Sequence, residues 1–146
     1  MRIEVRGDLQ NKGLVGDILS PTAFMSILKY SLVHADKHNA RVHQLDFIGV
    51  SLQAKFKNGV FVKLDSRYAD YVTEYSKYFG RALILLKSMY GMTNSGGLFA
   101  DELTEWLLEA GFIQYQCQMS IYHKYATDGK KIVLSYVDYC VYLVYF

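Results

Sequence analysis

The chain has 146 residues, enough for one domain with a core, and its 51% hydrophobic and 21% charged positions exclude a disordered or low-complexity tail. A net charge of +2 and a pI of about 8.4 fall short of a dedicated nucleic-acid module, although lysines gathered on one face could still meet phosphates. No apolar run is long enough to span a bilayer, the N-terminus lacks a secretion signal, and Cys117 and Cys140 stand apart from any CxxC or histidine cluster. An intracellular chain with reduced thiols and without a membrane partner is expected.

Residues 1–20 are polar and punctuated by glycine, which predicts a weak strand and a loop. Ser20-Pro21 predicts the cap and first position of a helix, with Phe24, Ile27, Leu28, Leu32 and Ala35 forming its buried face. Arg41 to Ile48 reads as a strand. Lys55 to Val62, with Asn58-Gly59 between hydrophobic segments, predicts a tight hairpin. Residues 65–80 read as a surface loop or short irregular helix, and Ala82 to Leu86 as a short buried strand.

A turn at Tyr90-Gly91 leads into a second helix over Asn94 to Ala110, with an apolar stripe of Leu98, Phe99, Leu103, Trp106, Leu107 and Ala110, and Gly111 stops it. Strands follow over 120–125, 131–137 and 140–145, with a turn at 127–129. The pattern is α+β: one domain over 1–146, with an antiparallel sheet and helices packed on one face. The run Tyr139 to Phe146 is apolar, uncharged and β-prone, an aggregation hazard unless a strand covers it.

Asp46 and Asp138 each close a hydrophobic strand pattern. Carboxylates at neighbouring strand ends can share Mg²⁺, which takes oxygen ligands and leaves positions for water and phosphate. Taken alone, an aspartate at a strand end is most often a solvated turn residue. His34, His38, His43 and His123 show no metal-ligand pattern; His34 and His38 lie four apart on the first helix without an evident third ligand.

Several segments, in order, resemble the reverse transcriptases of copia-type LTR retrotransposons. Tyr136-Val137-Asp138 sits where that family carries its Tyr-x-Asp-Asp hairpin, and His43-Gln44-Leu45-Asp46 is similar to the segment holding the first catalytic aspartate. Leu86-Lys87-Ser88-Met89-Tyr90-Gly91-Met92 resembles the family's Leu-Tyr-Gly turn before the nucleotide-facing helix. Glu109-Ala110-Gly111-Phe112 with Met119-Ser120-Ile121-Tyr122 resembles its Gly-Phe…Ser-Leu-Tyr step. Arg2-Ile3-Glu4-Val5-Arg6-Gly7 resembles the end of a fingers strand.

The resemblance implies the palm and partial fingers of a right-hand polymerase that extends a DNA primer on an RNA or DNA template from dNTPs. It implies two Mg²⁺ (or Mn²⁺) ions on Asp46 and Asp138, and Arg2 and Arg6 near the triphosphate or template. It also implies a thumb and RNase H outside these residues, further polyprotein domains as partners, and a cytoplasmic virus-like particle or the nucleus as the working place. Tyr139 departs from the pattern, replacing the second motif aspartate by a phenol that is a poor metal ligand near neutral pH. Ser51, after Val50, replaces the aromatic that excludes a ribose 2′-hydroxyl. Asn94 stands for a glutamine, Gly96-Gly97 for proline and arginine, and Phe99 for tryptophan. A catalytically impaired copy is therefore expected. The alternative is a non-enzymatic, decayed remnant that at most binds nucleic acid or a partner chain. A stacking RNA-binding sheet ranks behind both, since no strand carries its aromatic-and-glycine signature.

Overall fold

The computed structural model describes residues 4–11, 20–49, 52, 54–68 and 73–146. Two helices and seven strands follow in the order α1 (Met25–Lys37), β1 (Arg41–Asp46), β2 (Lys55–Lys63), β3 (Ala82–Lys87), α2 (Ser95–Glu109), β4 (Ile113–Tyr115), β5 (Gln118–Ala126), β6 (Gly129–Tyr136) and β7 (Tyr139–Tyr145). Short 3₁₀ turns occupy Gly7–Leu9, Ser66–Tyr68 and Thr73–Tyr78, the last two in the region expected to be irregular. Five strands form an antiparallel sheet in the order β1-β7-β6-β5-β4, and β2 and β3 pair separately. The α+β class is as the sequence pattern indicates.

The helices do not share a face. Successive residues of a strand point to opposite faces, and the two halves of the core divide along that alternation. Ile27, Leu28 and Ala35 of α1 meet Ile121, Ile132, Leu134, Val141 and Leu143, whereas Phe99, Leu103 and Leu107 of α2 meet Tyr122, Val133, Cys140 and Tyr142. β7 is apolar along its whole length and β6 is apolar from Ile132 to Leu134, and strands apolar on both sides need a cover on both. One-face packing is corrected to a helix–sheet–helix sandwich for this reason. The same placement answers the hazard of the terminal run: β7 lies between β1 and β6 and is no edge.

Helix α1 starts four residues after the expected proline, with Phe24 at its N-cap and no side-chain cap bond. The preceding segment is held extended against the sheet. The Ala23 N–H donates to the Ser135 carbonyl (2.9 Å), and the Gln118 amide donates to the Thr22 carbonyl (3.0 Å). Ser20 packs instead against Gly96 of α2, where an added Cβ would lie 3.1 Å from the serine Cβ. Phe24 consequently faces solvent and Leu32 is partly exposed, so the buried stripe of α1 narrows to Ile27, Leu28 and Ala35.

Both helices end in the same device. Asn39 (φ +52) and Gly111 (φ +81) take the left-handed conformation, open to asparagine and free for glycine. The N–H groups of Asn39 and Ala40 return to the carbonyls of Asp36 and Ala35, and those of Gly111 and Phe112 to Leu108 and Leu107. These are the paired bonds of the Schellman motif. The Lys124 ammonium adds a bond to the Ala110 carbonyl (2.6 Å), placing a cation at the negative end of α2.

Asn58-Gly59 makes no hairpin. Both residues lie inside β2, in a stretch where Lys55 faces Lys87 and Val60 already faces Leu85, so the surplus residues are absorbed as a bulge against β3. Nor is β3 buried: Ile84 and Leu86 are exposed, and among the described residues neither core cluster includes a side chain of β2 or β3. The three-residue strand β4 is an addition that its length and composition do not announce. Among the described residues, no helix is long and apolar enough to cross a membrane.

Candidate active site

The site is built on the β6–β7 hairpin. Tyr136 pairs with Tyr139, leaving Val137 and Asp138 as a two-residue turn. Val137 has φ +54, so a β-branched residue occupies the position where such turns favour glycine. That strain, of order 1–3 kcal/mol, is carried by a hairpin whose flanks are pinned on both sides. Beyond β7 lies β1, where Asp46 pairs with Tyr139, and the Phe47 N–H donates to the Asp138 carbonyl at 2.9 Å. Asp46, the last residue of β1, and Asp138, in the β6–β7 turn, therefore stand at one end of one sheet, both exposed.

Tyr139 shares the row of Asp46 and Tyr136, so the three side chains leave the sheet on the same face. Its ring lies 5.2 Å from that of Tyr136 and packs against the core on the α1 side. A carboxylate at this position would add a hard oxygen ligand beside Asp46; the phenol adds apolar area. Phe47, next to Asp46, turns to the opposite face and meets Phe99 of α2 edge-on at 5.4 Å. Motif strand and following helix are thus joined through one aromatic contact.

The N-terminal segment docks on the connection between β3 and α2. The Val5 N–H donates to the Tyr90 carbonyl (2.8 Å), and Gln10 Oε1 accepts from both the backbone N–H (3.1 Å) and the hydroxyl (3.0 Å) of Thr93. Two glycines allow this approach. An added Cβ on Gly7 would lie 2.0 Å from the Gly91 carbonyl oxygen, and one on Gly91 (φ +85) would lie 2.2 Å from that of Val5. Gly91→Ala is expected to break this clamp at a cost of about 1–3 kcal/mol, read by chemical denaturation together with faster amide exchange at Val5. Gln10 and Thr93 carried no signal in the sequence; Gly91 did, through the Tyr-Gly turn.

Arg6 is spent locally: its Nε and Nη2 donate to the two oxygens of Asp8 at 2.7 and 2.6 Å, and this pairing holds the Asp8 carboxyl below its usual range. Asn94 is buried at the N-cap of α2, 7% exposed. Arg2 and Ser51 lie outside the described residues. Among the described residues no group of three or more His, Cys, Asp or Glu side chains is placed to hold a metal. Asp46 and Asp138 are the side chains that would hold an Mg²⁺ completed by water or phosphate, and the position that would extend the set is Tyr139.

The family profile described as Reverse transcriptase (RNA-dependent DNA polymerase) matches residues 2–144. No curated protein and no solved structure matches the chain significantly. The match spans almost every residue, including the Asp46 strand and the β6–β7 hairpin, and the chain belongs to the reverse transcriptase (RNA-dependent DNA polymerase) family.

Proposed function

We propose that the chain is the fingers-palm segment of a copia-type LTR retrotransposon reverse transcriptase, with Asp46 and Asp138 as metal carboxylates and catalysis impaired by Tyr139. The observation that carries the reading is the pairing of Asp46 with Tyr139 while the Asp138 carbonyl is held by the Phe47 N–H. This brings both aspartates of separate motifs to the same sheet end. Bound Mg²⁺ or Mn²⁺ supplies electrostatic stabilisation of the entering and leaving oxygens in phosphoryl transfer. The protein's own part is to hold Asp46 at the end of β1 and Asp138 in the adjoining β6–β7 turn, with the Val5–Tyr90 and Gln10–Thr93 contacts bracing the turn before α2. Template-primer and dNTPs are the partners, in a virus-like particle or the nucleus.

Tyr139→Asp is the direct test. It is expected to tighten Mn²⁺ binding by roughly tenfold or more, equivalent to about 1.4 kcal/mol, and Asp46→Asn added to it is expected to cancel the gain. Titration calorimetry reads binding, and circular dichroism checks the fold. A folded Tyr139→Asp protein that binds Mn²⁺ no better than the parent chain sinks the assignment. Gained binding with metal-dependent extension of a primed template makes Tyr139 the main catalytic defect. Gained binding without extension favours the remnant reading, in which the hairpin keeps its geometry and other losses silence the chemistry.

A further inference from the structure

Helix α1 carries His34 and His38 one turn apart, a spacing that puts both rings on one helical face. Their centroids lie 4.3 Å apart with the rings tilted by 36°. His34 is half-buried and His38 exposed. What the sequence leaves unseen is Tyr145, at the opposite end of β7 from the Asp46 pair, roughly 20 Å along the strand. Its hydroxyl lies 3.2 Å from His34 Nδ1 and its ring 5.6 Å from the His34 ring, while Tyr30 stands 6.0 Å away on the outer side.

An imidazole that ligates a metal through one nitrogen commonly donates its other N–H to an acceptor that fixes tautomer and orientation. Tyr145 is placed to be that acceptor, leaving His34 Nε2 as the lone-pair nitrogen. Two imidazoles bound cis to one ion at about 2.1 Å have ring centres about 4.5–5 Å apart. The observed separation lies within a small side-chain rotation of that arrangement. Histidines at this spacing are a known chelating pair when they share a helix face.

We propose that His34 and His38 form a two-imidazole site for a divalent transition-metal ion of the Ni²⁺, Cu²⁺ or Zn²⁺ class. Water fills the other positions, and Tyr145 is the positioning residue. The site is independent of the carboxylate pair in place and in chemistry, because Mg²⁺ prefers oxygen ligands and imidazole suits the later transition metals.

Titration of the untagged chain with Ni²⁺ by calorimetry tests it. One equivalent is expected to bind, and excess Mg²⁺ is expected not to displace it. His38→Ala, at an exposed position that leaves the fold intact, is expected to weaken binding at least tenfold. Tyr145→Phe is expected to weaken it roughly tenfold with an unchanged circular dichroism spectrum. His43→Ala and His123→Ala are expected to bind as the parent chain does. Unaltered binding by His38→Ala, or no Ni²⁺ uptake by the parent chain, overturns the site. Unaltered binding by Tyr145→Phe overturns its positioning role.

Discussion

Leu143→Ala is expected to lower the unfolding free energy by about 2–5 kcal/mol. Leu143 is 0% exposed and stands in β7 opposite Val42 on one side and Ile132 on the other. Its side chain belongs to the cluster under α1, with Leu28, Ala35, Leu134 and Val141. The cavity left by truncation cannot collapse easily, because β7 is hydrogen-bonded along both edges and cannot shift without breaking one ladder. Against a total stability of about 5–15 kcal/mol for a domain, the loss is large. Urea denaturation should show a lower midpoint at an unchanged slope. The control is Leu86→Ala on exposed β3 (75% exposed), expected within about 0.5 kcal/mol of the parent. A Leu143→Ala cost below about 1 kcal/mol would contradict a central β7.

The second large effect is loss of stability at alkaline pH. Burial pushes the Cys140 thiol up to about 11 from 9.0, partly opposed by its bond with the Ser135 side chain. Burial likewise raises Tyr122, whose hydroxyl lies 2.8 Å from Thr104 Oγ1. The proton is therefore held more tightly in the folded chain than in the unfolded one. Below pH 9 both states carry the thiol proton and stability is unaffected; between 9 and 11 the unfolded state loses it first, and stability falls as pH rises. A shift of about two pH units corresponds to about 3 kcal/mol from Cys140, with Tyr122 acting in the same direction. Denaturation at about pH 8 and about pH 10.5 measures the drop, and Cys140→Ala should flatten it. Native alkylation gives an independent reading: exposed Cys117 is expected to react and buried Cys140 to react only after unfolding. Equal reactivity of the two thiols in the native chain would refute the buried placement.

Neither experiment touches the hairpin tip, where the chemistry would lie. Two carboxylates and a tyrosine share that end of the sheet, and the strained Val137 holds the turn between them. The Tyr139→Asp comparison above alters that end alone. The imidazole pair on α1 lies beyond its reach, so the two proposals fail or stand separately.

Local patterns in the sequence determined much of what the structure contains. Helix α2 begins after Asn94 and stops before Gly111 because its apolar spacing and a glycine free to take φ +81 act within a few residues. The β5, β6 and β7 strands and their short turns are legible for the same reason, and the ordered motifs placed Asp46 and Asp138 at strand ends. Tertiary structure decided the rest, because its energies come from partners distant in the chain. The Ser135 carbonyl, more than a hundred residues away, holds Ala23 extended and delays α1 past Pro21. Pairing with β3 draws Asn58-Gly59 into a strand, overriding a local turn preference. A sheet apolar on both faces recruited a helix to each, which period and composition cannot assign, since alternation within a strand does not say what will cover either side. The meeting of His34 with Tyr145 has the same origin: helical spacing supplies the two histidines, and only the packing of α1 on β7 supplies the hydroxyl that orients one of them.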